Sequence, residues 1–375
     1  MIFEIKGIGM PNKGAELMLI AVKDKMQEIL GHEVEFSCEP TTDYIERARH
    51  SLYQKTSFPV GGYLIDWSFF SRIIPYKLRK RYGLVTTSEV SIILDASGFA
   101  YGDQWGANKI RARLSNNIKK WKRNGKRIIL LPQAFGPFEN KATRKEMVVI
   151  LEHADLVFAR DAQSLEYLDN LLPGKAILSP DFTNLVSAPA APDAYKEYAG
   201  RPCFIPNQKM ISMIKDNGGY MKNMAKCLDS MLVAGERPFV LIHEGEADLC
   251  LAREIVSQVS GEVDIVIPND ALVIKSVIGQ CSFVLSSRFH GLVSALSQGV
   301  PVVATGWSHK YSELLNDYGV VDFLCENTTA VDKVRLLLDR DHRSSLVTAI
   351  KANSEVEKQK SELMWERVNK CIAGN

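Results

Sequence analysis

Along the chain, apolar runs rich in β-branched residues alternate with longer segments in which apolar positions recur every three to four residues. Residues 2–8 read as a strand and 15–30 as a helix, with apolar side chains at 18, 22, 26, 29 and 30. Strands follow near 34–37, 90–95, 127–131, 156–159 and 176–179, with helical periodicity over 108–123, 141–153 and 162–171. Such alternation predicts parallel sheets covered by helices on both faces. Residues 187–194, Ser-Ala-Pro-Ala-Ala-Pro-Asp-Ala, are small, Pro-rich and aperiodic, and read as a linker. Beyond them strands recur at 203–206, 239–243, 263–267, 281–286, 301–305 and 320–324, and a helical stretch at 343–373 closes the chain. The expected class is α/β: two doubly wound parallel-sheet domains facing a cleft, 1–186 and 201–342, joined by a linker at 187–200. The segment 343–375 is expected to pack back on the first domain.

Charge changes this picture little at first. Lys+Arg 46 against Asp+Glu 44 gives +2 over 375 residues, without the basic excess of a nucleic-acid binder. Seven cysteines at 38, 203, 227, 250, 281, 325 and 371 form no CxxC and no short spacing. That predicts neither disulfides nor a zinc site, and fits a reducing compartment. The start, MIFEIKGIGMPNKG, reads as a strand and turn rather than a leader, and no apolar run approaches 18 residues. A cytoplasmic location is expected.

In doubly wound sheets ligands bind beyond the carboxyl ends of the strands, so candidate chemistry is sought there. The first strand is followed by Gly7-Ile8-Gly9 and by Asn12-Lys13-Gly14-Ala15-Glu16, leading into a helix. This suits an anion, or equally a turn capped by Asn12. Asp95-Ala96-Ser97-Gly98 and Gly102-Asp103 with nearby aromatics suit a sugar, with Asp103 a candidate base, or an ordinary loop. Gln133, Gly136-Pro137-Phe138, and Arg160-Asp161 with Ser164 end two further strands. The densest candidate is Ser286-Ser287-Arg288-Phe289-His290-Gly291 at a strand–helix junction, with His309-Lys310 after the next strand. A hydroxyl pair, Arg, His, Lys and a helix start together favour an anion. No His pair has metal spacing, and Asp339-Arg340-Asp341 reads as a helix cap. Residues 67–82 interleave aromatic and aliphatic side chains with five basic ones. They read either as a segment lying on an anionic membrane surface or as a solvated helix interrupted by Pro75.

These strand-end blocks resemble the polysaccharide pyruvyltransferase family. The matching pieces are Asn12-Lys-Gly14-Ala-Glu16, Ser97-Gly98…Gly102-Asp103, Gln133-x-x-Gly136-Pro137-Phe138, Arg160-Asp161-x-x-Ser164 and Ser179-Pro180-Asp181. Ser287-Arg288-Phe289-His290-Gly291, with Ala295-x-x-x-Gly299-Val-Pro301, completes the series over about 12–325. The resemblance implies a GT-B-like fold and transfer of the enolpyruvyl carbon of phosphoenolpyruvate to two sugar hydroxyls, forming a ketal and releasing phosphate. It implies His290 as general acid, and Arg288, Arg160, Lys310, Ser287, Gly291 and Lys209 around phosphoenolpyruvate. Asp103 falls near the acceptor, with Asn12, Gly14, Glu16, Ser97 and Gln133 lining the cleft. One departure is Pro206-Asn207-Gln208-Lys209, where many members carry an Arg and Lys209 is the candidate substitute. Phosphoenolpyruvate is then a co-substrate, with no cofactor and no metal. The partner is a cell-envelope or exopolysaccharide saccharide, lipid-linked at the inner face of the cell membrane, with acceptor loops drawn from residues 40–85. Two other readings stay open. One is a nucleotide-sugar glycosyltransferase, with Arg288 and Lys310 on the diphosphate, His290 on the sugar and Glu313 as the candidate for the ribose. The other is a non-catalytic saccharide-binding relative.

Overall fold

In a computed structural model, residues 1–374 are described except 10–11, 40–41, 61–62, 72, 214–218 and 327–328. Met10 and Pro11 of the first loop, and Arg72 of the basic–aromatic stretch, lie outside the described residues. The chain divides into two compact units. One comprises Met1–Met10, Met18–Phe182 and Lys360–Asn375; the other comprises Pro11–Leu17 and Thr183–Gln359.

Strands buried on both faces of a parallel sheet need apolar residues at consecutive positions rather than alternate ones. Arg127–Phe135 shows this: after a half-exposed Arg127, every residue to Phe135 is buried. In the first unit the strand order is Ile177–Leu178, Leu156–Ala159, Arg127–Phe135, Val90–Asp95, Ile2–Lys6, Glu35–Cys38, Leu52–Lys55 and Leu84–Val85, with Phe99–Tyr101 beside Arg127–Phe135. All these pairings are parallel. The chain starts mid-sheet at Ile2–Lys6, moves outward one way, and returns on the other side at Val90–Asp95. The topological switch point therefore lies between Ile2–Lys6 and Val90–Asp95.

The second unit repeats the plan. Its order is Asp264–Val266, Phe239–Leu241, Cys203–Ile205, Val284–Ser286, Val302–Thr305 and Leu324–Cys325, again parallel throughout. Its switch point lies between Cys203–Ile205 and Val284–Ser286. Phe204, Val240, Leu285 and Val303 are fully buried at the centre of its core.

The helical stretch expected at 108–123 begins at Gly106 and carries a π-helical turn, Arg111–Ser115, before Asn116–Arg123. The strand expected at 320–324 is mostly a 3-10 turn, Val321–Phe323, and only Leu324–Cys325 joins the sheet. Residues 40–85, without a readable pattern, hold the helix Tyr44–Arg49, an antiparallel hairpin of Ser57–Val60 with Tyr63–Asp66, and the short helices Ser68–Ser71 and Tyr76–Arg81. The Pro-rich stretch runs into a 3-10 helix, Asp193–Tyr198, whose Tyr195 and Tyr198 pack on the second unit's core. The terminal helix, Arg340–Ala373, starts in the second unit, where Ser354 Oγ donates to Ser297 O at 3.0 Å. Its last turns belong to the first unit, where Trp365 sets its ring edge-on to Phe182 at 5.7 Å. Asp339 accepts from the N–H groups of Asp341 and His342, so the Asp-Arg-Asp triplet caps this helix.

Candidate active site

At the second unit's switch point, Asn207 follows one central strand and Ser287 the other. Asn207 Nδ2 donates to Ser287 O at 2.8 Å, and Asn207 Oδ1 accepts from Lys209 N at 3.0 Å. Ser287 is fully buried, with its hydroxyl 2.7 Å from that of Tyr220 and 2.6 Å from that of Thr305. The residue expected to touch phosphoenolpyruvate is thus a packing hub whose hydroxyl is spent on two others. Asn207, in the place of the missing Arg, ties the two strand ends together.

Arg288 leaves this hub. Its Nε and Nη2 donate to Asp248 at 2.8 and 2.5 Å, and its Nη1 donates to Glu244. Glu244 and Asp248 sit one turn apart where the helix Gly245–Val256 follows the strand Phe239–Leu241, so both carboxylates face the same guanidinium. Three of the five guanidinium donors are taken, leaving two for a ligand. Burial pushes the Asp248 carboxyl up, to about 7, and Arg288 down, to about 10. Burial also lowers Lys209, and the Arg288 charge adds to this.

The N-terminal loop joins the same cluster. Asn12 Oδ1 accepts from Ala15 N at 3.1 Å, capping the helix Lys13–Leu30, while its Nδ2 donates to Glu244 at 3.0 Å. The capping reading of Asn12 is the one realised here. Lys13 pairs with the fully buried Glu16 at 2.7 Å and donates to Asn269 O at 2.7 Å. His290 opens the helix Phe289–Leu296, and Gly14 lies against its ring: a Cβ on Gly14 would fall 2.2 Å from Nδ1. Gly291 packs over Ser286 and Ile205. The Phe289 ring meets the His290 ring edge-on at 5.5 Å and also carries Lys310, whose Nζ sits 5.3 Å from Phe289, 5.2 Å from Trp307 and 5.3 Å from Tyr311. His243, nearly fully buried, has its pKa held well below the ordinary value by burial and by Arg288, His290 and Lys13.

In the first unit, Gly7 adopts φ +84° at the switch point, and a Cβ there would meet Ser97 Cα at 2.3 Å. Asp95, fully buried, accepts from Ser97 Oγ and from the Tyr101 hydroxyl. Gln133 is buried beside Asp95 O, and its Oε1 has no hydrogen-bond partner among the described residues. Two expectations change here. Asp103 Oδ2 accepts from Glu139 N at 2.7 Å and Asn140 N at 3.2 Å, and Oδ1 from Thr143 Oγ1. Both carboxylate oxygens are thus engaged in holding the turn that leads into the helix Lys141–His153, whose N-cap is Asn140. Arg160 is 5% exposed and donates to Asp181 at 3.0 Å, forming a buried pair instead of an open anion grip. Asp161 caps the following helix through Ser164 N.

The second-unit cluster is also less one-sidedly basic than expected. Lys13, Lys209 and Arg288 face Glu16, Glu244 and Asp248. Glu244 and Asp248 are not among the expected site residues; their signal in the sequence is a pair of carboxylates four apart directly after a strand. Among the described residues, no His, Cys, Asp and Glu group is arranged to hold a metal ion.

Two parallel α/β sheets with side chains gathered at their switch points form a GT-B-like fold. The chain is similar in fold to a putative UDP-N-acetylglucosamine 2-epimerase from Listeria monocytogenes, at 14% identity, covering 100% of this chain and 97% of that one, TM-score 0.62. It is likewise similar to S. aureus MnaA in a co-structure with UDP, at 13% identity, covering 99% and 96%, TM-score 0.63. A third likeness is Phytolacca americana UGT2 complexed with UDP-2fluoro-glucose and pterostilbene, at 11% identity, covering 99% of each chain, TM-score 0.55. No curated protein matches the sequence. The family model for polysaccharide pyruvyl transferase matches residues 12–309. The chain belongs to that family, a transferase family of polysaccharide biosynthesis.

Proposed function

We propose that the protein transfers the enolpyruvyl carbon of phosphoenolpyruvate to two hydroxyls of one saccharide, forming a pyruvate ketal and releasing phosphate. The observation that carries this reading is Arg288 held by Glu244 and Asp248 in the cluster that seats His290 against Gly14. The two guanidinium donors left over, with Lys209 and Lys310, suit the carboxylate and phosphate of a small trianion.

Protonated His290 gives its proton to the methylene carbon, leaving positive charge at C2. A first hydroxyl adds there and returns a proton to the imidazole. A second hydroxyl displaces phosphate, which departs with the second proton, so atoms and charge balance. No base is assigned to Asp103, whose oxygens are engaged by Glu139 N, Asn140 N and Thr143 Oγ1. The acceptor is read as a cell-envelope or exopolysaccharide saccharide, met in lipid-linked form on the cytoplasmic side.

The test is phosphate release from phosphoenolpyruvate by the purified full-length protein with candidate acceptors, alongside calorimetry with phosphoenolpyruvate and nucleotide sugars. Phosphoenolpyruvate binding, and release abolished in His290→Ala and Arg288→Ala, is expected. Binding of UDP- or GDP-sugars without phosphoenolpyruvate would overturn the reading in favour of a glycosyltransferase.

A further inference from the structure

Eight of the twenty exposed large apolar side chains found among the described residues fall within 65–82, a small fraction of the chain. They include Trp67, Phe70, Ile73 at 81% exposure and Tyr82 at 69%. Trp67 and Phe70 are the exposed Trp and Phe of the described residues, and their rings lie 5.5 Å apart. The sequence from 67 to 82 contains no Asp or Glu. Of its basic residues, Arg79 is buried against Glu89 and Lys80 pairs with Glu35, while Lys77 and Arg81 stand exposed with no ion pair among the described residues. Pro75 breaks the segment into the helices Ser68–Ser71 and Tyr76–Arg81, yet the apolar side chains on both sides of the break remain exposed.

The second helix also ends at a cavity. Lys80, Arg81 and Tyr82 border a space of about 600 Å³, with Lys23 and Arg47 also lining it and Glu35 as its one carboxylate. It opens at the amino ends of the strands Glu35–Cys38, Leu52–Lys55 and Leu84–Val85, at the opposite ends of the parallel strands from Ser97 and Gln133. Aromatic rings and aliphatic chains that reach into lipid headgroups, beside the exposed cations Lys77 and Arg81, complement an anionic bilayer. The cavity's cations suit a lipid phosphate.

We infer that residues 65–82 dock on an anionic phospholipid surface, with a headgroup phosphate entering the cavity bordered by Lys80 and Arg81. The inference goes beyond the transfer reading and does not depend on it, since none of these residues belongs to the site above.

The test is flotation of the full-length protein with phosphatidylcholine vesicles, with and without phosphatidylglycerol. Phosphatidylglycerol-dependent binding is expected. The Lys77→Ser/Arg81→Ser double variant should lose about five-fold in partitioning per cation removed, about 25-fold in all. Phe70→Ser/Ile73→Ser should lose binding while keeping the parent's circular dichroism and thermal melt. Equal flotation with neutral vesicles, or an apolar variant that floats like the parent, would overturn the inference. So would a parent dimer, seen by sedimentation, that the apolar variant converts to monomer without either form binding vesicles.

Discussion

Gly14 sets how closely the first helix approaches the His290 imidazole. A methyl group at 2.2 Å from Nδ1 cannot be accommodated without moving the ring. Gly14→Ala is therefore expected to lower kcat by about 100-fold, the scale of a small misplacement of a reacting group. Steady-state kinetics beside a thermal melt checks this, because the melt should barely move. Arg288 poses the complementary case. Asp248 takes two of its donors while Glu244 keeps a third, so Asp248→Ala is expected to cost about 1.5–3 kcal/mol, the scale of losing hydrogen bonds to a charged group. Replacing both residues with Ala should cost less than the two single changes added together, since the contact they share is then lost only once. Chemical denaturation of the three variants measures the difference.

At the scale of the element, caps and strand ends account for several residues that sequence spacing assigned to chemistry. Asp103 closes the turn before Lys141–His153 with three acceptor contacts. Asp103→Ala should cost about 1–3 kcal/mol, the effect of losing hydrogen bonds to a charged group. Its turnover should change little, and a fall of about 10³-fold or more in kcat at unchanged stability would restore a general-base role. The same scale explains what could be read in advance. Long buried strands such as Arg127–Phe135, and amphipathic helices such as Lys141–His153, carry enough residues for a period to appear. Edge pieces of two to four residues, such as Leu84–Val85 and Ser57–Val60, carry no period, and pairing with a neighbour alone defines them. The π-helical turn at Arg111–Ser115 is likewise invisible to a count of helical spacing.

At the scale of the whole molecule, stability should respond to acid in two windows. His243 is held neutral in the folded second unit by burial and nearby cations, while the unfolded chain takes up its proton below the ordinary value of 6.5. The unfolded state then binds more protons, so this contribution to stability falls as pH drops from about 6.5. In the first unit burial opposes ionisation of Glu4, but Lys55 and Lys6 outweigh it and hold its pKa at about 2. Its contribution is present above 4.5 and is lost as pH falls toward 2. Asp248, raised to about 7, takes up a proton in the folded state first and offsets the His243 loss between about 7 and 4, so denaturant unfolding across pH should show the lower decline clearly, and His243→Leu should turn the upper window into a gain on acidification.

The amino-acid sequence by itself determined the alternation of strand and helix, the parallel character of the sheets, and the clustering of Ser, Arg, His and Gly at strand ends. These are local properties, set by periodicity and by the turn and helix-start chemistry of adjacent residues. What only the tertiary structure decided is which charges meet. Glu244 and Asp248 lie some 40 residues from Arg288, and Asn12 lies further still from Glu244. Their contacts follow from strand order at the switch point, which separation along the chain does not encode. Near-neutral net charge proved compatible with a dense ionic site because the carboxylates there are as close-set as the cations.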